Sequence, residues 1–303
     1  MERIELTPWF YYDVIKTKKR IIQSPSPELK KVQRSIMRKY FKQFWKQKSV
    51  KEVASVHCGK KWLLKLDIQD FYNSVSGEQI RDVISRCCKE RSIMNPHDVG
   101  DRSREVSDVE QIFSICTING KLPTGAPTSP YIANLVLKEL DYEIAGACRD
   151  FDVSYSRYMD DLFFSTDREQ YILSFIELKV LEHFKQLGFA VNVSKIKYIS
   201  SNKRQQVLGL GVNNKKPVLT KDDKRKYRAY FYNLIFPLKY SKTATYKYHE
   251  KELLGHLAYI KSVDESYYVQ IVFYIFNLIV RLNLIKKTCL RKLLKTLNYN
   301  KGN

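Results

Sequence analysis

Short runs of aliphatic and aromatic residues broken by single polar ones alternate along this chain with longer stretches in which apolar positions recur every three to four residues. The first pattern predicts strands, whose side chains point to opposite faces in turn, and the second predicts helices with one apolar side. Strands are expected in 62–72 ending on a carboxylate, in 153–165 as a hairpin, over 189–199, and over 206–215 with a turn at Asn213-Asn214. Ser26 before Pro27 predicts an N-cap and first helical turn, and the helix that follows puts Leu29, Val32, Ile36 and Tyr40 on one face. Residues 76–120 read as helix, polar loop at 95–101, helix, and Ile118-Asn119-Gly120-Lys121 as a tight turn. A helix from Ser129 to about 147 carries Ile132, Leu135, Val136, Leu140 and Ile144 at core spacing, and one from Tyr171 ends at Gly188. From 218 onward the pattern is helical and basic, with Leu253, Leu254, Leu257 and Ile260 on one apolar side. The longest apolar run, 269–280, contains Gln270 and Asn277. It is too short to span a bilayer as a helix, so it predicts a buried one.

Charge narrows the class of partner. Of 303 residues, 53 are Lys or Arg and 32 are Asp or Glu, a net charge of +21 with a pI near 9.6. That excess predicts a polyanionic partner, and 13% aromatic residues supply rings for base stacking, so nucleic acid is expected. No detached basic amphipathic segment favours a membrane surface. Cys58, Cys87, Cys88, Cys116, Cys148 and Cys289 form no C-x-x-C pair and read as reduced thiols of a cytoplasmic protein, without zinc spacing. Met1-Glu2-Arg3-Ile4-Glu5 carries acids where a signal peptide is basic.

Candidate chemistry concentrates at Tyr158-Met159-Asp160-Asp161, two adjacent acids inside a strand-turn-strand run. Alone, the pair reads as a hairpin cap, because Asp is a common turn former. Asp67, at the end of another apolar strand, changes that reading. Buried carboxylates need a compensating cation. Two divalent ions about 3.5–4 Å apart, performing in-line phosphoryl displacement, need carboxylates from separate strands. Mg²⁺ prefers one or two carboxylates completed by phosphate oxygens and water. Asp67, Asp160 and Asp161 are therefore the candidate catalytic and metal-holding set. In 122–134, Gly125, Pro127 and Pro130 force an irregular backbone that leaves amides free and permits close approach.

These residues resemble a family. Asp67-Ile68-Gln69-Asp70-Phe71-Tyr72 and Tyr158-Met159-Asp160-Asp161 look like the two catalytic motifs of a reverse transcriptase palm, and Leu122-Pro123-Thr124-Gly125-Ala126-Pro127-Thr128-Ser129-Pro130 looks like its third core motif. The resemblance implies an α+β right-hand polymerase: N-terminal segment and fingers in 1–60, a palm with an antiparallel sheet and interleaved fingers elements in 61–217, and a helical thumb in 218–303. It implies RNA-directed DNA synthesis with two Mg²⁺ ions held by Asp67, Asp160 and the Ile68 carbonyl, Asp161 completing or orienting the set. Nucleotide contacts are implied for Lys19, Arg20, Gly125, Ala126, Pro127 and Tyr72, whose ring beneath the sugar excludes a ribose 2′-OH. Primer and template contacts are implied for Tyr158, Met159, Leu208 and Gly209. Lys195 is implied to lie near the pyrophosphate leaving group, and it reads equally as a solvated strand residue.

Within that family the chain is most similar to bacterial retron reverse transcriptases, over 24–33, 66–72, 122–134, 155–165 and 255–264. The similarity implies a structured non-coding RNA partner, priming from a guanosine 2′-OH, a branched RNA–DNA product and a separate effector protein in anti-phage defence. Four positions depart from the pattern: Thr124 stands for Gln, Val53 for the Asn of an Asn-Ala-x-x-His segment that keeps Ala54 and His57, Leu208 for Thr, and Met159 for Ala. Another defence-associated reverse transcriptase, an inactive RNA-binding scaffold and an RNA-dependent RNA polymerase are the alternatives.

Overall fold

One strand, β4 (Trp62–Asp67), sets the frame of the computed structural model, which describes residues 2–6, 10–17, 21–94, 102–236 and 246–282. Lys19, Arg20 and the expected loop at 95–101 lie outside the described residues. The described chain falls into two units, 1–201 and 202–303.

In the first unit, β1 (Glu2–Glu5), β2 (Tyr11–Lys16) and β3 (Ile21–Pro25) form an antiparallel sheet. Ser26 then caps α1 (Pro27–Ile36), its hydroxyl accepting from the Leu29 amide at 3.2 Å. The buried side of α1 is Leu29, Gln33 and Ile36, with Val32 and Tyr40 only half-buried. Gln33 turns inward with its side-chain NH₂ donating to Tyr12 Oη at 2.6 Å and to the Ile115 carbonyl at 2.8 Å, which pairs the donors that burial would otherwise penalise and leaves Oε1 as the unpaired atom.

A short helix, α2 (Val50–Ser55), precedes β4, and α3 (Phe71–Ser74), α4 (Gly77–Met94) and α5 (Arg102–Cys116) follow it. The turn at 118–121 forms as expected, with Asn119 and Gly120 both at positive φ. The helix expected from Ser129 is broken at Leu137 into α6 (Ser129–Val136) and α7 (Lys138–Asp150). The hairpin β5 (Ser154–Tyr158) and β6 (Asp161–Thr166), helix α8 (Gln170–Gln186) and β7 (Lys197–Ser200) complete the unit.

The central sheet runs β5-β6-β4-β7, antiparallel throughout. Leu64 opposes Phe164 and Leu66 opposes Leu162, all essentially inaccessible, and they pack into one core with Ile80, Ile132 and Ile176 of the flanking helices. Because strand side chains alternate, Lys65, Asp67, Asp161 and Phe163 occupy the other face. His57, just past α2, is fully buried between β5 and β6, with Nδ1 2.7 Å from Ser165 Oγ and Nε2 2.7 Å from Ser156 Oγ. Burial lowers its pKa to about 3, so the ring is a neutral clasp across the hairpin.

The expected strand over 189–199 is not continuous. Val191 makes a single bridge to Ile68, Val193–Lys195 is a 3₁₀ turn, and only β7 joins the sheet. Ser194 Oγ donates to Asn192 Oδ1 at 2.7 Å, a local side-chain bond of the kind that competes with strand pairing.

The second unit begins with β8 (Gln206–Val207), β9 (Leu210–Gly211) and β10 (Val218–Leu219). The β8–β9 hairpin turns at Leu208-Gly209, with φ of 49° and 83°, the pair of positive values a two-residue type I′ connection requires. The chain reverses again across 212–217, where Asn213-Asn214 was expected to turn it, so that β10 pairs antiparallel with β9. From that connection Asn213 also closes the base of the β8–β9 hairpin, accepting from the Gln205 amide and donating to the Lys203 carbonyl, each at 2.8 Å. Among the described residues α9 (Lys221–Ile235), α10 (Tyr246–Val263) and α11 (Glu265–Arg281) follow. Leu253, Leu257 and Ile260 are buried on α10, and Leu254 is half-buried. The apolar run in α11 is only partly buried: Ile271, Ile275 and Ile279 face inward, while Val269, Phe273 and Val280 are exposed. Among the described residues no helix is long and apolar enough to cross a membrane.

Candidate active site

The register of β4 against β6 makes Asp67 and Asp161 direct partners, both on the sheet face turned away from the helical core. Directly opposed residues of an antiparallel pair have Cβ atoms about 5 Å apart. Asp160 occupies the connecting turn, where its carbonyl accepts from the Ile68 amide at 2.9 Å. Met159 begins that turn at φ 56°, a left-handed value that costs a side-chain-bearing residue free energy and persists only where surroundings enforce it. On the far side of β4, the Asn192 amide donates to the Asp67 carbonyl at 2.8 Å and fixes the 3₁₀ turn that carries Lys195. Lys195 Nζ reaches Asp67 Oδ2 at 2.8 Å from a 3₁₀ turn rather than a strand, and its side chain is 57% exposed, so the acid's ion-pair partner is a solvated lysine.

Negative charge at the site is only partly compensated. Burial, and then the charges of Asp160 and Asp67, push the Asp161 carboxyl up to about 6, against the pull of Lys65 and Lys195. Lys65, next to it on the same face, has its own pKa lowered by burial while Asp161 resists. Among the described residues, no three His, Cys, Asp or Glu side chains stand close enough to cage an ion by themselves. A magnesium ion does not ask for such a cage, since one or two carboxylates suffice when substrate phosphates and water fill the remaining positions. The facing pair Asp67 and Asp161, with Asp160 beside them and a carboxyl that burial leaves under-neutralised, fits that donor set.

The turn is held from behind by residues the sequence reading assigned no role. Arg157, with its side chain 4% exposed, donates to Asp141 Oδ1 at 2.8 Å and Oδ2 at 2.5 Å, to the Met159 carbonyl at 2.9 Å, and to Asn134. Tyr155 Oη donates to Asp141 Oδ1 at 2.7 Å, and Asn134 Nδ2 lies 3.2 Å from Met159 Sδ. One guanidinium thus ties α6 and α7 to the backbone of the strained turn. The available signal was Asn134 and Asp141 seven residues apart, on one side of a helical stretch, with an arginine three positions before Asp160.

Tyr72 sits on α3, just beyond the strand that carries Asp67, with its ring stacked on Phe71 at 5.5 Å. Tyr158 opposes Asp161 in the β5–β6 register. Gly125, Ala126 and Pro127 form a loop against β3. A Cβ on Gly125 would meet the Gln23 carbonyl oxygen at 2.3 Å, so β3 is the backbone whose approach requires glycine there. Thr124 Oγ1 accepts from the Gln23 amide and donates to the Ile21 carbonyl, each at 3.2 Å, which commits its side chain to the same strand. Ala126 is buried with Tyr12, Leu29 and Ile118, leaving backbone as its means of contact. Leu208 and Gly209 form the hairpin tip of the second unit.

A family model described as reverse transcriptase (RNA-dependent DNA polymerase) matches residues 13–213. The chain is similar to the retron Ec83 reverse transcriptase of Escherichia coli, 29% identical over 293 residues that cover 86% of this chain and 88% of that one. It is 27% identical over 268 residues to the retron Ec86 reverse transcriptase of Escherichia coli, covering 86% and 76%. It is 27% identical over 257 residues to the retron Mx65 reverse transcriptase of Myxococcus xanthus, covering 81% and 58%.

Proposed function

The chain belongs to the reverse transcriptase family of RNA-dependent DNA polymerases, and from that premise we propose that it is the polymerase of a retron, copying a structured non-coding RNA into a short single-stranded DNA primed from an RNA 2′-OH. In this reading 1–60 contributes fingers, 61–217 the palm and 218–303 the thumb, and a separate effector protein acts with it in anti-phage defence. The observation that carries the proposal is the pairing of Asp67 with Asp161 in register beneath the Met159-Asp160 turn. Similarity to three retron enzymes over more than four-fifths of the chain supports the subgroup.

Family members use divalent ions, and two Mg²⁺ ions bound here would acidify the primer hydroxyl and stabilise charge developing on the transferred phosphoryl group. Asp67, Asp160 and Asp161 would hold them, helped by the Ile68 carbonyl. Lys195, beside Asp67, would lie near the leaving pyrophosphate. Lys19, Arg20 and the backbone of Gly125, Ala126 and Pro127 orient the nucleotide, and the Tyr72 ring excludes a ribose. Tyr158, Met159, Leu208 and Gly209 support the primer and template.

The test is extension of a primed RNA template by deoxynucleotides with and without Mg²⁺, set beside an Asp160→Asn, Asp161→Asn double variant. Extension by the wild type alone is expected; equal extension by both proteins ends the polymerase reading, and preference for ribonucleotides moves it to an RNA polymerase. Sequencing the nucleic acid that co-purifies checks the retron assignment, which requires DNA branched from RNA.

A further inference from the structure

Within the second unit, α9 and α10 each present two rings one helical turn apart: Tyr227 and Tyr230 from α9, His256 and Tyr259 from α10. They line a hollow of about 410 Å³ whose wall also includes the Leu208-Gly209 turn. Helices that merely pack together fill the space between such rings. Here the rings stand around open volume, within the range of about 300–1,000 Å³ typical of small-molecule clefts. His256 meets Tyr230 edge-on at 4.7 Å and Tyr227 at 5.7 Å, so the imidazole holds the two α9 rings in place, while Tyr259 remains 41% exposed. At Gly209 nothing lies within 4 Å of where a Cβ would be, so the turn offers an uncovered backbone.

We propose that this hollow receives one unpaired nucleobase of the nucleic acid the protein holds. The inference rests on the reading of the chain as a template-copying polymerase, and adds to it a site that grips a base face rather than phosphate. Flat apolar faces ringed by aromatic side chains suit a base, because every base has a π-face to stack. The charges in the wall cancel instead of summing to a phosphate trap, since Lys226 Nζ lies 3.5 Å from Asp223 Oδ1. That pair supplies a donor and an acceptor for the polar edge of a base.

The test uses the full chain and two oligonucleotides of one sequence, RNA and DNA, each with a single unpaired 2-aminopurine. Binding is expected to quench the 2-aminopurine. Tyr227→Leu and Tyr259→Leu are each expected to weaken affinity about tenfold without altering the slope of log Kd against log salt, which counts phosphate contacts. Tyr259→Phe should retain binding, and the ratio of RNA to DNA affinity assigns the strand. Unquenched fluorescence in the wild type overturns the proposal irrespective of how the variants fold. So does wild-type affinity in a folded Leu variant, or an equal loss of affinity for a fully paired duplex. Mg²⁺-dependent extension stands or falls separately, because neither tyrosine belongs to the acid site.

Discussion

Asp161 is ionised at neutral pH against the preference of its surroundings. Its carboxyl titrates at about 6 instead of 3.8, so between those values the folded chain holds a proton that the unfolded chain has released. Stability therefore falls as pH rises through that window. His57 has the opposite sign: its folded pKa of about 3 lies below the ordinary 6.5, so its contribution is complete above pH 6.5 and is lost as the pH drops. With chelator present, Asp161→Asn should melt above the wild type at pH 8 by about 2 °C, a small rise because partial exposure screens the interaction. The gap should close by pH 4, where both proteins are neutral at that position. Thermal melts at the two pH values check this, and a gap that persists at pH 4 would trace it to packing.

Among elements, the contact of the 122–128 loop with β3 is the least forgiving. Gly125→Ala places a methyl against the Gln23 carbonyl, backbone that cannot swing aside. It should cost about 1–3 kcal/mol. Gly255, on the exposed side of α10 with nothing within 4 Å, is the matched control, and Gly255→Ala should stabilise by up to about 1 kcal/mol. Denaturant unfolding of the two variants should give opposite signs. Elements specified by local chemistry were legible in the sequence: the Ser26 cap, the Asn119-Gly120 turn and the β5–β6 hairpin. Asn213-Asn214 marked the reversal between β9 and β10, whereas the turn before it, at Leu208 with a φ of 49° that no propensity favours, splits the expected strand without a local signal. Gln33 inside α1 could not be read, because its partners lie 21 and 82 residues away. The Arg157–Asp141–Asn134 ties left only the helical spacing of the two acceptors as a hint, because donor and acceptors meet only in the folded chain.

For the whole molecule, a net charge of +21 makes counterion release the main term in binding nucleic acid. If six to ten phosphates are contacted, affinity for RNA should fall about 10³- to 10⁵-fold between 50 and 200 mM salt, as filter binding would measure. A flat salt response would mean that the basic residues serve something other than the phosphate chain. The three acids were legible at this scale because each ends or interrupts an apolar strand. The aromatic hollow was not, because Leu208, Tyr227 and His256 belong to three separate elements. The pairing of β4 with β6 carries one more consequence. Strand faces swap with every residue, so a one-position slip would bury Asp67 and expose Leu66, and no repacking of neighbours could correct it. Inserting or deleting a single amino acid within 62–67 should therefore abolish turnover where most substitutions only weaken it, which makes specific activity a count of correctly threaded molecules.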